Sequence, residues 1–167
     1  LMLGADAAAR TKKIRIGQAA NVITFHNPIR LAEDIATLDQ LSKGRVEVGV
    51  ARGIYGREAI NLNVEADLKD QAKNFRLFSE TLEILKKAWT EKFFSHQGEF
   101  YTYPHPNHVW QHDMSPPSEE FMNMEDNTIK KISIVPKPYQ SPHPPIHQVV
   151  DGIRSIEWAA QNGINVI

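Results

Sequence analysis

Three short stretches carry residues that could each do chemistry, two by holding an anion and one by admitting a flat ring. The first is Arg52-Gly53, behind a run in which Val46, Val48 and Val50 alternate. A guanidinium is a planar fork of donors suited to phosphate, and a glycine beside it allows close approach or a backbone geometry other residues avoid. The same arginine could instead form a rim salt bridge. The second stretch is Asp151-Gly152 with Arg154 and Ser155, at the start of a predicted helix. Free N–H groups and the helix dipole attract a phosphate there, while Asp151 acting as an ordinary N-cap explains the same residues. The third is Ala19-Ala20, small enough to let a ring lie against the backbone, or small because the interior is tight. Arg76 could add a second positive charge, or pair with Glu80 one helical turn on.

Other chemistries find less support. Nineteen Lys+Arg against twenty Asp+Glu leave no basic field for nucleic acid or an anionic membrane, so a small-molecule partner is the better expectation. With no cysteine, disulfides, thiolate zinc sites and a thiol nucleophile are excluded, and a cytoplasmic location is expected. No apolar run approaches the ~20 residues of a membrane span. His96, His105, His108, His112, His143 and His147 crowd one half of the chain, but without His-Glu-x-x-His spacing, and no metal site is expected. The dinucleotide glycine fingerprint, the Walker motif and the hydrolase elbow Gly-x-Ser-x-Gly are all missing.

The elements that must position these residues follow from periodicity. Residues 14–23 read as a strand entering a buried sheet. Asn27 is a cap and Pro28 a first helical residue for a helix whose face is Leu31, Ile35, Leu38 and Ser42, widened by Ala32, Ala36 and Leu41 and stopped by Lys43-Gly44. Residues 45–50 form a strand, a long loop runs through Asn63, and Phe75, Phe78, Leu82, Leu85 and Trp89 mark the core stripe of a helix over about 71–89. Residues 94–139, rich in Pro, His and Asn, form an irregular excursion. A strand at 146–150, a helix at 153–162 and an apolar run to Ile167 close the chain. Strand–helix alternation with short returns predicts a parallel α/β sheet, open or closed into a barrel.

At this point the chain resembles the bacterial luciferase-like flavin monooxygenases, with a pattern closest to the alpha subunit of luciferase. The resemblance rests on Ile16-Gly17-Gln18-Ala19-Ala20, Asn27-Pro28-Ile29-Arg30-Leu31-Ala32-Glu33-Asp34, Leu38-Asp39-Gln40-Leu41-Ser42-Lys43-Gly44-Arg45 and Gly49-Val50-Ala51-Arg52-Gly53. Farther on, Pro136-Lys137-Pro138-Tyr139-Gln140-Ser141-Pro142-His143-Pro144-Pro145 and Glu157-Trp158-Ala159-Ala160-Gln161 also carry it. It implies a TIM (β/α)8 barrel with FMN, or in some relatives F420, across the strand ends. It further implies a non-prolyl cis peptide at Ala19-Ala20 against the ring, a phosphate grip by Arg52 with Gly53, a second phosphate arginine at Arg76, and a helix start at Asp151, Gly152 and Ser155 closing on the phosphate. Ala51 stands where luciferase has a cysteine, and Gly152 where it has a serine, so backbone amides would do that serine's work.

The implied reaction uses reduced FMN, delivered by an NAD(P)H-dependent flavin reductase, and O2 to oxidise an aldehyde or similar small organic substrate. An F420-dependent dehydrogenase and a non-catalytic, dimer-supporting subunit are the alternatives within the family. A homo- or heterodimer is expected. A full barrel takes ~250 residues and eight strands, so residues 1–167 are expected to be part of a single barrel domain, about half its strands. Leu1–Arg10 reads as the end of a helix and the last residues as a strand cut short. The catalytic histidine of the family is expected ahead of Leu1, with His26 not at its position, and the 167 residues alone are expected to bind FMN weakly and to be inactive.

Overall fold

The computed structural model describes residues 1–112 and 114–167. Strands β1 (Ile16–Val22), β2 (Val46–Ala51), β5 (Ile146–Gln148) and β6 (Asn165–Val166) lie side by side in that order, every pairing parallel. Parallel strands require crossovers, supplied by α2 (Pro28–Ser42), by α4 (Gln71–Thr90) with the excursion after it, and by α5 (Ile153–Gln161). Helix α1 (Met2–Arg10) precedes β1. The result is an open arc of consecutive strands, as in a stretch of a (β/α)8 barrel.

One face of the arc is core. Val46, Val48 and Val50 are at most 3% exposed and meet Leu31 and Ile35 of α2 and Phe78 and Leu85 of α4. The alternation of β2 puts Glu47, Gly49 and Ala51 on the inner face. Helix α2 starts as its sequence dictates: the Asn27 side chain accepts from the N–H of Ile29 at 3.0 Å and of Arg30 at 3.2 Å, with Pro28 next. Lys43 and Gly44 end it in left-handed conformation, with φ of 56° and 79°. Leu41, expected on the buried face, is 63% exposed. It falls at the margin of the stripe, where the helix turns away from the sheet.

The Leu38–Arg45 motif works as a structural clamp at the end of the sheet remote from the cleft. Buried Asp39 accepts from the backbone N–H and the side-chain amide of Gln140, each at 2.8 Å. Arg45 donates to the carbonyls of Ala8, Thr11, Ile14 and Ser42 at 2.8–3.1 Å, tying α1 to the entry of β1.

Two local readings are corrected. The stretch expected as loop up to Asn63 holds a short helix, α3 (Gly56–Leu62), followed by a turn of 3-10 helix at Val64–Ala66. Its single buried residue, Ala59, gives no periodic apolar stripe to read. The strands are also shorter than expected at their ends: exposed Ile14 lies outside β1, and Val149 and Val150 lie beyond β5. The excursion folds back on itself through the hairpin β3 (His96–Gln97) and β4 (Thr102–Tyr103) and the bridges Phe94–Ile132, Val109–Thr128 and Met122–Ile129. No helix of the described residues is long and apolar enough to cross a membrane.

Candidate functional site

The carboxyl ends of β1, β2 and β5 surround a cleft of about 290 Å³. Ala19 and Ala20 line it from β1, Ala51, Arg52 and Gly53 from the end of β2, and Val149, Asp151 and Ser155 from the β5–α5 connection. Six of the eight residues expected at the site therefore share one space. Between Gln18 and Asn21 the β1–β2 register breaks, and the Ala19-Ala20 peptide is cis. Gly49 faces this break. A Cβ there would stand 1.9 Å from the Gln18 carbonyl oxygen, so the close approach of the two strands depends on glycine.

Arg52 is held through its backbone and left open at its guanidinium. Its carbonyl accepts from the hydroxyl of buried Thr24 at 3.1 Å and from the amide of buried Asn74 at 3.4 Å. Gly53 follows with φ +91°, a conformation that favours glycine, and a Cβ would also press on Phe25 at 2.9 Å. The guanidinium donates to Gln71 Oε1 at 3.3 Å and lies over the Phe75 ring at 5.8 Å. Among the described residues it forms no ion pair, which removes the rim salt bridge as the explanation for it.

A second groove, about 690 Å³, lies between the start of α4 and the length of α5 and is lined by Gln71, Phe75, Arg154, Glu157, Trp158 and Gln161. Arg52 and Ser155 line both spaces, forming their common wall. At the start of α5 the cap is Gly152, not Asp151 as the N-cap reading had it. The Ser155 hydroxyl donates to the Gly152 carbonyl at 2.7 Å and accepts from the Gly152 N–H at 3.3 Å, and Asp151 makes no hydrogen bond there. Nothing lies within 4 Å of a Cβ built on Gly152, so the backbone at this helix start is open to an approaching group.

Arg76 is placed elsewhere. It does not line the cleft, and it pairs with Glu99 of the excursion at 2.7 and 2.9 Å instead of with Glu80. The guanidinium beside Glu99 holds that carboxyl below its ordinary range. Glu80 is committed to the hairpin, accepting from the N–H of Glu99, Phe100 and Tyr101 and bonding His96 Nε2 at 3.0 Å. Two further histidines are engaged within the fold. His147 Nε2 meets Glu47 at 2.6 Å on the inner face, and His143 bonds the Pro144 carbonyl at 2.8 Å. Among the described residues no three His, Cys, Asp or Glu gather as metal ligands.

The site also contains residues that sequence reasoning missed. Tyr55, the cap residue of α3, and Glu58 within that helix line the cleft, and α3 carries no periodic signal. Gln71, Trp158 and Gln161 sit where two helices converge, and only the tertiary arrangement brings them together.

The family model described as luciferase-like monooxygenase matches residues 1–167. The oxygenase component of flavin-dependent trigonelline monooxygenase from Acinetobacter baylyi is 31% identical over 162 residues, covering 97% of this chain and 37% of that protein. The alkanal monooxygenase alpha chain of the Kryptophanaron alfredi symbiont is 26% identical over 98% of this chain and 37% of its own length. The oxygenating constituent of 3,6-diketocamphane monooxygenase from Pseudomonas putida, solved in complex with FMN, superposes with a TM-score of 0.74 at 21% identity, covering 99% of this chain and 41% of that one. The chain thus spans about 37% of the length of the curated relatives it matches. With the match running along its whole length on this parallel strand–helix fold, the chain belongs to the luciferase-like monooxygenase family.

Proposed function

We propose that this chain supplies the cofactor-holding part of a flavin-dependent monooxygenase that uses reduced FMN and O2 to oxidise an aldehyde or similar small organic molecule. The observation that carries the reading is the convergence of Ala19-Ala20, Arg52-Gly53 and Ser155 on one cleft at the ends of three adjacent parallel strands. The residues fit the group. Among the described residues the guanidinium of Arg52 has no carboxylate partner, the backbone at Gly152 is open, and the small side chains of Ala19, Ala20 and Ala51 leave room for a flat ring.

Reduced flavin supplies the electrons with which O2 is activated. The chain's own part is to hold and shield. Arg52 would neutralise the phosphate in a charge-assisted contact, and the first turn of α5 would add its free backbone N–H groups. Val22 and Val149 give the cleft apolar walls that limit water. The name of the trigonelline relative, an oxygenase component, supports delivery of reduced flavin by a separate NAD(P)H-dependent reductase. The alpha-chain relative supports a dimer.

Titration of flavin fluorescence against the protein tests the reading. Arg52→Ala removes a contact to a charged group worth about 1.5–3 kcal/mol and is expected to weaken FMN by roughly 10- to 100-fold. Saturation by F420 with no response to FMN would replace FMN with the deazaflavin. Failure of both to bind would remove the flavin reading.

A further inference from the structure

The phosphate end of the site has a charge to balance. A terminal phosphate monoester carries roughly −1.5 to −2 at neutral pH, and one guanidinium matches only part of it. The resemblance assigns the second cation to Arg76, which here is held by both oxygens of Glu99 and faces a different groove with Ser79, His96 and Lys130. Arg154, by contrast, borders the groove that Arg76 does not line. It sits in the first turn of α5, lines the groove shared by Arg52, Gln71 and Ser155, and has neither an ion pair nor a side-chain hydrogen bond among the described residues. The groove's carboxylate, Glu157, lies on the same helix and forms no ion pair with either arginine. Among the described residues, two guanidinium groups on different elements thus border one space with no carboxylate bound to them, and the backbone N–H groups of Ile153 and Arg154 have no acceptor.

We infer that Arg154, and not Arg76, is the second cation of the phosphate subsite, and that the Arg52–Arg154 pair gives this site its preference for a ligand ending in a phosphate monoester. The inference rests on the flavin reading above. It specifies which element supplies the charge: the α5 start carries the cation that the resemblance places on α4. The arrangement links the grip to the strand-end cleft, because Ser155, the next residue after Arg154, lines both spaces.

Parallel titrations with FMN and with riboflavin, which has the same ring and no phosphate, separate this inference from the reading beneath it. Arg154→Gln is expected to weaken FMN by roughly tenfold, as loss of a charge-assisted contact does, and to leave riboflavin unchanged. Arg154→Lys should recover most of the FMN affinity, and Arg76→Gln should leave it within about twofold of the parent. Added salt should weaken FMN and spare riboflavin. If Arg76→Gln weakens FMN while Arg154→Gln does not, the assignment is overturned. Equal affinity of the parent protein for the two flavins would also overturn it and leave the flavin reading standing, whereas absence of saturation by either flavin up to millimolar concentration would remove both. An equal loss of both flavins in Arg154→Gln counts against a phosphate-specific role.

Discussion

Gly49 shows how much of this site depends on one missing methyl group. A Cβ on this residue would stand 1.9 Å from the Gln18 carbonyl oxygen, on the inner face beside Ala19. Gly49→Ala is therefore expected to destabilise the protein by about 3 kcal/mol, the upper end of overpacking costs, seen as a lowered urea midpoint. Gly56, with nothing within 4 Å of its Cβ position, provides the control: Gly56→Ala should leave the midpoint unchanged or raise it. An unaltered midpoint for Gly49→Ala would show that the strands can separate at the register break at little cost. Arg52 could be picked out from sequence because it ends an alternating valine run. Arg154 was legible only as part of the helix start at Asp151–Ser155; that it borders the same groove as Arg52 comes from a wall contributed by α4. Arg76 misled because its partner, Glu99, lies outside its helix, beyond the reach of i,i+4 reasoning.

At the scale of elements, α2 and α4 were legible from their stripes and caps. Asn27 and Pro28 begin α2 where expected, and Phe78, Leu82, Leu85 and Trp89 are buried in α4. Asn27→Ala removes the acceptor for two otherwise free N–H groups and is expected to cost about 1 kcal/mol, measurable by chemical unfolding. A cost near zero would mean that tertiary packing alone fixes the start of α2. Helix α3 was not legible, since seven residues burying one alanine leave no period to detect. The excursion was expected to be irregular, and it holds a hairpin of two-residue strands and isolated bridges. Its attachment to α4 runs through Glu80, which gathers three successive N–H groups and His96 of a hairpin some twenty residues away. Long-range polar clamps of this kind leave no periodic trace in sequence.

At the scale of the whole molecule, the parallel arc has two edge strands, β1 and β6, with no further strand paired to them among the described residues. The α3 region adds exposed apolar side chains, with Ile54 77%, Tyr55 62% and Val64 67% exposed. Such edges and patches favour association, so the sedimentation coefficient of the 167-residue chain is expected to rise with concentration. A constant monomer value across the micromolar range would contradict this. The common wall of the two spaces has a thermodynamic consequence. Because Arg52 and Ser155 border both, a ligand fragment that reorients either residue in one space alters the affinity of the other, and linkage makes the effect mutual. On the proposed flavin reading, the ring and the tail of the bound molecule would be read jointly, as one cooperative unit, and the affinities of the separate halves would not sum to that of the whole.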